Sequence, residues 1–202
     1  MSAIHHLNLP LSEDTVRTLR AGDLVYLDGE IIVTAGLPTH QRLTGTITGQ
    51  WELPFALDGA AFFHLGSYIS EQSDDNITIE YINPTTSTRF NDLMPTLIGH
   101  FNLRLIGGKG GLDHRSVEAM QKTGCAYLSF LGGGAPLHSA AIKRVIDVGW
   151  SDLVSHFRLL KLEVAGLGPL TVGIDAHGAS LYDILSARAA AILPQILDDM
   201  KK

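Results

Sequence analysis

Cysteine is nearly absent: Cys125 is the only one in 202 residues. A single thiol builds no disulfide framework, no CxxC zinc site and no cysteine-ligated iron–sulfur cluster within the chain. Charge is scarce as well, at 18% against a usual ~25%. Acidic residues outnumber basic ones by 21 to 15, for a net charge of −6. That excess argues against nucleic acid or an anionic membrane surface as partner. Long apolar runs are missing. The most apolar stretch, residues 125–137, is broken by Gly132, Gly133, Gly134 and Pro136 and is too short to span a bilayer. The first ten residues have neither a basic region nor a sustained apolar core, so no signal peptide is read there and a cytoplasmic location is expected. The GxSxG and HExxH signatures and any paired-carboxylate pattern are lacking.

What is present is an apolar fraction of 45% and 21 glycines. That is enough to bury one ordinary core, and it excludes disorder as a class. Ser12 to Arg20 reads as a helix capped by Ser12, with Glu13 and Asp14 in its first turn. Leu24–Leu27 and Ile31–Thr34 read as a hairpin turned at Asp28-Gly29. Pro38 opens a short helix through His40 and Leu43, and Ala60 to Leu65 reads as a buried strand. Gln72 to Asn76 reads as an exposed hairpin tip before a strand at Ile77–Ile82. Leu103–Ile106 and Ala126–Leu131 read as strands around a helix capped by Asp113, and Pro136 opens a helix through Val145. Leu159–Val164 and Leu170–Asp175 read as two more strands, and Gly178 leads into a C-terminal helix. His5 and His6 fall in a terminus expected to fray. The pattern predicts a single α/β domain, residues 1–202, with a mixed sheet.

Four segments carry possible chemistry. In Asn83-Pro84-Thr85-Thr86-Ser87-Thr88-Arg89-Phe90, an Asn cap and a Pro at the first helical position would leave the amides of Thr85, Thr86 and Ser87 free for an anion. Thr85 and Arg89, four apart, would then share a face. The alternative is a capped turn with a surface arginine. Gly107-Gly108-Lys109-Gly110-Gly111 either lets a ligand approach the backbone or forms a flexible turn with a solvated lysine. It lacks the spacing of a nucleotide phosphate loop. His40 is an acid, a carboxylate ligand or a capping residue. Asp175 and His177, at a strand end, are catalytic or cap the next helix. Gly132 to Gly134 either present amides to an anion or tighten a packing contact.

In order along the chain, these segments resemble the β subunit, or C-terminal domain, of class I (iron–sulfur) fumarate hydratases and of L-tartrate dehydratase. The matching pieces are Ala21-Gly22-Asp23-Leu24, Thr39-His40-Gln41-Arg42-Leu43 and Phe63-His64-Leu65-Gly66. Asn83 to Arg89, Gly108-Lys109-Gly110-Gly111 and Ile174-Asp175-Ala176-His177-Gly178 follow. The resemblance implies a swivelling β/β/α domain. It implies a hydro-lyase of small dicarboxylates, with fumarate/malate first and tartrate second, in a hetero-oligomer with an α subunit. That subunit would hold a [4Fe–4S] cluster through three cysteines, with no metal ligand in this chain. It gives Thr85 the role of catalytic base, places His40 near the site, and assigns Arg89, Lys109 and Thr86 to substrate. Physically, fixed cations offset the charge that develops on a carboxylate during such a reaction, and they lower a nearby hydroxyl's pKa. The sequence departs from the family where Gly36 and Leu37 stand in place of an Arg-Asp pair. Either another cation such as Arg42 takes over that contact, or the pocket accepts a methyl-substituted dicarboxylate. A catalytically idle partner domain and a small-anion binding module are the rival readings.

Overall fold

The chain is described by a computed structural model over residues 2–73 and 76–201. In chain order the elements are β1 (Ile4–Asn8), α1 (Glu13–Thr18), β2 (Leu24–Val33), α2 (Leu37–Ile47), β3 (Ala61–Phe63), β4 (Leu65–Ser73) and β5 (Asn76–Pro84). After them come α3 (Met94–His100), β6 (Leu105–Gly108), α4 (His114–Thr123), β7 (Ala126–Ser129), α5 (Ala135–Ala140), β8 (Ile142–Gly149), β9 (Leu159–Ile174) and α6 (Leu181–Asp199). The architecture is mixed α/β with a mixed sheet, as the element pattern predicted.

Period-2 burial explains the layering. Along β2, Val25, Leu27, Ile31 and Val33 face one core together with Phe63, Leu128, Leu162 and Val172. The intervening Ile32 faces a second core with Phe62, Ile106 and Tyr127, and helices α2, α3 and α4 add Leu43, Met94, Leu97 and Met120 to it. Strands buried on both faces read as continuous apolar runs. The parallel pairings run β1–β2–β3–β6–β7. Antiparallel β9 then pairs with β7 and also with β2, so five strands close into a ring around the first core. β4 and β5 form a separate antiparallel hairpin whose last residue leads directly to Thr85.

Several local expectations change in this context. Asp28-Gly29 is not a hairpin turn: β2 runs straight through it, because both of its halves pair with β9. The extra residues lie on β9, as bulges around Gly166 and Gly168, and Asp28 Oδ1 accepts a hydrogen bond from Gly166 N at 2.8 Å. For the same reason, Leu159–Val164 and Leu170–Asp175 belong to one strand of 16 residues. The helix opened by Pro136 stops at Ala140, and residues 142–149 are strand β8, paired along β9. Residues 4–8 do not fray. They form β1, where His5 Nε2 meets Asp23 Oδ2 at 3.0 Å and His6 stacks on Tyr26. Asp74 and Asp75, in the middle of the expected tip at Gln72–Asn76, fall outside the described residues. Two caps form as predicted: Ser12 accepts from Thr15 N, and Asp113 accepts from Ser116 N.

Helix α6 packs on the second core through Tyr182 and is exposed from Asp183 onward, and no helix among the described residues is long and apolar enough to cross a membrane.

Candidate active site

One glycine brings the two motif segments together. A Cβ on Gly108 would sit 2.4 Å from Ser87 Oγ and 3.1 Å from Thr85 O, so only glycine lets the end of β6 lie against residues 85–87. The backbone then stitches them. Lys109 N donates to Thr85 O at 3.0 Å, Ser87 N donates to Lys109 O at 2.8 Å, and Thr85 N donates to His64 O at 2.9 Å. The start of the glycine-rich segment is therefore not a flexible turn, because it is locked to the neighbouring segment. Nor are residues 85–87 a helix N-terminus with free amides. Asn83 and Pro84 end β5, the amides of Thr85 and Ser87 are bonded, and the following 3-10 turn covers only Ser87–Phe90.

This stitching places Thr85, Thr86, Arg89 and Lys109 on one open cleft of about 370 Å³. Ala35, Gly66, Ser67, Tyr68, Tyr81, Asn83, Pro84, Ser155 and His156 complete its wall. Among the described residues, no carboxylate lines it. Among the described residues, Arg89 and Lys109 have no ion-pair partner, and the Thr85 hydroxyl has no hydrogen-bond partner.

His40 lies elsewhere. It is fully buried beneath the cleft, stacks on Phe90 at 3.8 Å and has Nδ1 2.7 Å from Gly36 O. Burial pushes its pKa down to about 4, so the ring is neutral, and Nδ1 donates to the Gly36 carbonyl. His64, 5.1 Å away ring to ring, is held well below the ordinary histidine value, first by burial and then by His40. His64 Nδ1 is 2.8 Å from Ser87 Oγ, which is 2.8 Å from the Tyr127 hydroxyl. A buried polar chain thus holds the turn from below. The sequence assigned no role to Tyr127 or to the Ser87 hydroxyl, and it named His64 only within a matching motif. Serine within a Thr-Thr-Ser run and histidine beside Phe62-Phe63 are the only traces that a sequence reader could follow.

The other candidates separate from the cleft. Asp175 caps a turn, with its carboxylate accepting from His177 N, Ala179 N and Ala21 N. The His177 ring lies against Arg17 O. Gly132 and Gly133 face open space, whereas a Cβ on Gly134 would lie 2.9 Å from His138 Nε2 and 3.0 Å from Leu131 O, so the run tightens a packing contact at its last glycine. Leu37 is exposed and does not line the cleft, which removes the apolar wall expected for a methylated substrate. Arg42 is not a free substitute cation: it binds both oxygens of Asp152 and lies over Trp51. His156 and Ser155 are cleft residues that the sequence did not single out.

Among the described residues, no ligand set for a metal cluster is found. Cys125 is buried, burial raises its thiol pKa, and no group of three His, Cys, Asp or Glu among the described residues is arranged for an ion.

Arg89 and Lys109, on a cleft that no carboxylate among the described residues lines, make its wall cationic. The chain belongs to the family described as Fumarase C-terminus, which it matches over residues 2–185. It is 32% identical over 188 residues to a protein of Methanocaldococcus jannaschii provisionally named L(+)-tartrate dehydratase subunit beta, covering 93% of this chain and 95% of that one. It is 30% identical over 175 residues to the L(+)-tartrate dehydratase subunit beta of Escherichia coli K12, covering 87% and 85%. It is also 26% identical over 194 residues to a chain of Geobacillus stearothermophilus provisionally named class I fumarate hydratase, covering 94% of this chain but 35% of that longer one.

Proposed function

We propose that this chain is the β subunit of a hydro-lyase that reversibly dehydrates a small dicarboxylate, with fumarate and malate as the first pair and L-tartrate as the second. One observation carries the reading: Arg89 and Lys109, which among the described residues have no ion-pair partner, share a cleft that no described carboxylate lines, in a chain of net charge −6. Unneutralised cations in a concave site attract and orient a dianion. The tartrate reading is supported by relatives of similar length that carry that substrate in their names.

In this reading Arg89 and Lys109 hold the substrate carboxylates, and Thr86 lines the same end of the cleft. Removing a proton from the carbon next to a carboxylate moves negative charge onto that carboxylate. Contacts from fixed cations strengthen as the charge grows, and that difference lowers the barrier. Thr85 is the proton acceptor. A threonine hydroxyl is a weak base in water, and two neighbouring cations favour its deprotonated form. His40, neutral and buried, acts from below by supporting Phe90 and hence Arg89. The cluster that the resemblance implies finds no ligands in this chain. The reading assigns it to a separate α subunit, with which this chain forms a hetero-oligomer in the cytoplasm.

Co-expression with the α chain and an anaerobic assay on fumarate, L-malate and L-tartrate test the reading. The complex should turn over at least one of them, and the isolated chain should show neither turnover nor stoichiometric iron. A complex without turnover on all three would favour an idle partner domain.

A further inference from the structure

Gly36 stands where the resemblance expects a substrate-binding arginine, and the structure shows what fills the space instead. A Cβ at Gly36 would lie 2.8 Å from Phe157 Cβ, 2.9 Å from Phe157 Cα and 2.6 Å from Thr39 Oγ1. No side chain can leave this position without moving the backbone of residue 157. The 3-10 turn Ser155–Phe157 that occupies the space is fastened to the β2–α2 junction. Ala35 N donates to His156 O at 3.0 Å, and Thr34 Oγ1 donates to Phe157 O at 3.1 Å. Thr39 Oγ1 donates to the same Phe157 oxygen.

This fastening has a consequence in the cleft. Ser155 and His156 become part of its wall, on the side of Ala35 and Gly66, with Arg89 and Lys109 on the same cleft. His156 is exposed, its ring packs edge-on against Phe157, and its ring nitrogens have no hydrogen-bond partner among the described residues. Gly66, beside it, leaves room: a Cβ there would already be 3.8 Å from His156 Cβ. Apart from Arg89 and Lys109, His156 is the one side chain on the cleft that can carry a positive charge.

We propose that His156 is the specificity-determining residue of the cleft. Its imidazole hydrogen-bonds the second carboxylate of the substrate, the one not conjugated with the reacting carbon, and replaces the side chain that Gly36 lacks. The proposal rests on the hydro-lyase reading and names which end of its substrate this segment recognises.

The test compares ligands with and without that carboxylate on the assembled complex. For His156→Ala, KM for L-malate and L-tartrate and Ki for succinate should rise tenfold or more, while kcat changes less. Ki for butyrate, a monocarboxylate, should stay within twofold. His156→Gln, which keeps a donor, should recover part of the loss for succinate. An unchanged Ki for succinate overturns the proposal. So does an equal loss for succinate and butyrate, which a purely structural role would give. A wild-type complex without turnover would defeat the hydro-lyase reading, and the imidazole resonances of His156 then decide the contact alone. They should shift when succinate is added and not with butyrate; unmoved resonances overturn the proposal.

Discussion

Thr85, Thr86 and Arg89 reach the cleft, whereas Ser87 and Phe90, from the same short turn, are buried against Tyr127, His64 and His40. The rim is half-buried or exposed, cationic and unpartnered. The floor is buried and neutral, held by stacking and by hydrogen bonds through His40 Nδ1, His64 Nδ1 and Ser87 Oγ. Unpartnered charge is tolerable at the rim because water screens it until a ligand arrives. Beneath, a charge would meet the desolvation penalty that holds both histidines neutral. Rim residues should therefore govern turnover with little effect on folding, and floor residues should govern folding and reach turnover only through the turn they support.

Substitutions at the rim give the largest expected effect. Arg89→Ala and Lys109→Ala should each lower kcat/KM of the assembled enzyme by roughly 10²–10³-fold, the range for losing one contact that stabilises developing charge. Their thermal midpoints should stay close to wild type in a calorimetric scan. A large drop in midpoint with little kinetic change would reverse the roles of rim and floor.

Gly108→Ala attacks the seam between the layers. Its Cβ would press on Ser87 Oγ and Thr85 O, so overpacking should cost about 1–3 kcal/mol. Denaturant unfolding should show that loss together with reduced turnover, since the cleft cannot keep Lys109 beside Thr85 once β6 moves. Normal activity in this variant would argue that the stitching is not needed for the site.

The floor should also announce itself in pH dependence. His40 titrates at about 4 in the folded chain, pushed down by burial, against about 6.5 when unfolded. The unfolded chain thus binds the proton more readily. The stability this contributes is full above pH 6.5 and is lost as pH falls toward 4, at a limiting slope of about 1.4 kcal/mol per pH unit. His64 is shifted in the same direction and should steepen the loss. Urea midpoints from pH 7 to 4 check this, and His40→Phe should flatten the profile. Tyr127→Phe, which leaves Ser87 without one partner, should cost about 1 kcal/mol and lower turnover less than tenfold.

The smallest effect belongs outside both layers. Arg42→Ala breaks a pair with the exposed Asp152 and should cost under about 1 kcal/mol. Steady-state kinetics should change less than twofold, because Arg42 does not line the cleft. A loss comparable to that of Arg89→Ala would place it back in the site.

Single-residue chemistry was legible in the sequence wherever it is local. Ser12 and Asp113 cap the helices they precede, because a side chain three residues from an amide needs no tertiary partner. The apolar alternation of β5 and the burial of residues 61–63 follow from their own pattern. The motif cations and threonines were readable as residue types suited to a carboxylate, and four of the five proposed site residues line one cleft.

What the chain alone left open depends on partners distant in sequence. Asp28-Gly29 has the composition of a hairpin turn, but β9, more than 130 residues away, pairs with both sides of it. A ladder of hydrogen bonds with one long partner outweighs the turn preference of two residues. Residues 142–149 became a strand for the same reason. His40 is buried and His156 stands on the cleft because burial is a property of packing: Phe62 and Phe90 close over the first, while the turn of Phe157 against Gly36 sets the second in the cleft wall. Residue types, caps and periodicity were determined by the sequence itself. Which histidine meets solvent, which glycine is a seam and which cations stand unpaired were decided by the tertiary structure, because each is set by the atoms that neighbouring elements bring within a few ångströms.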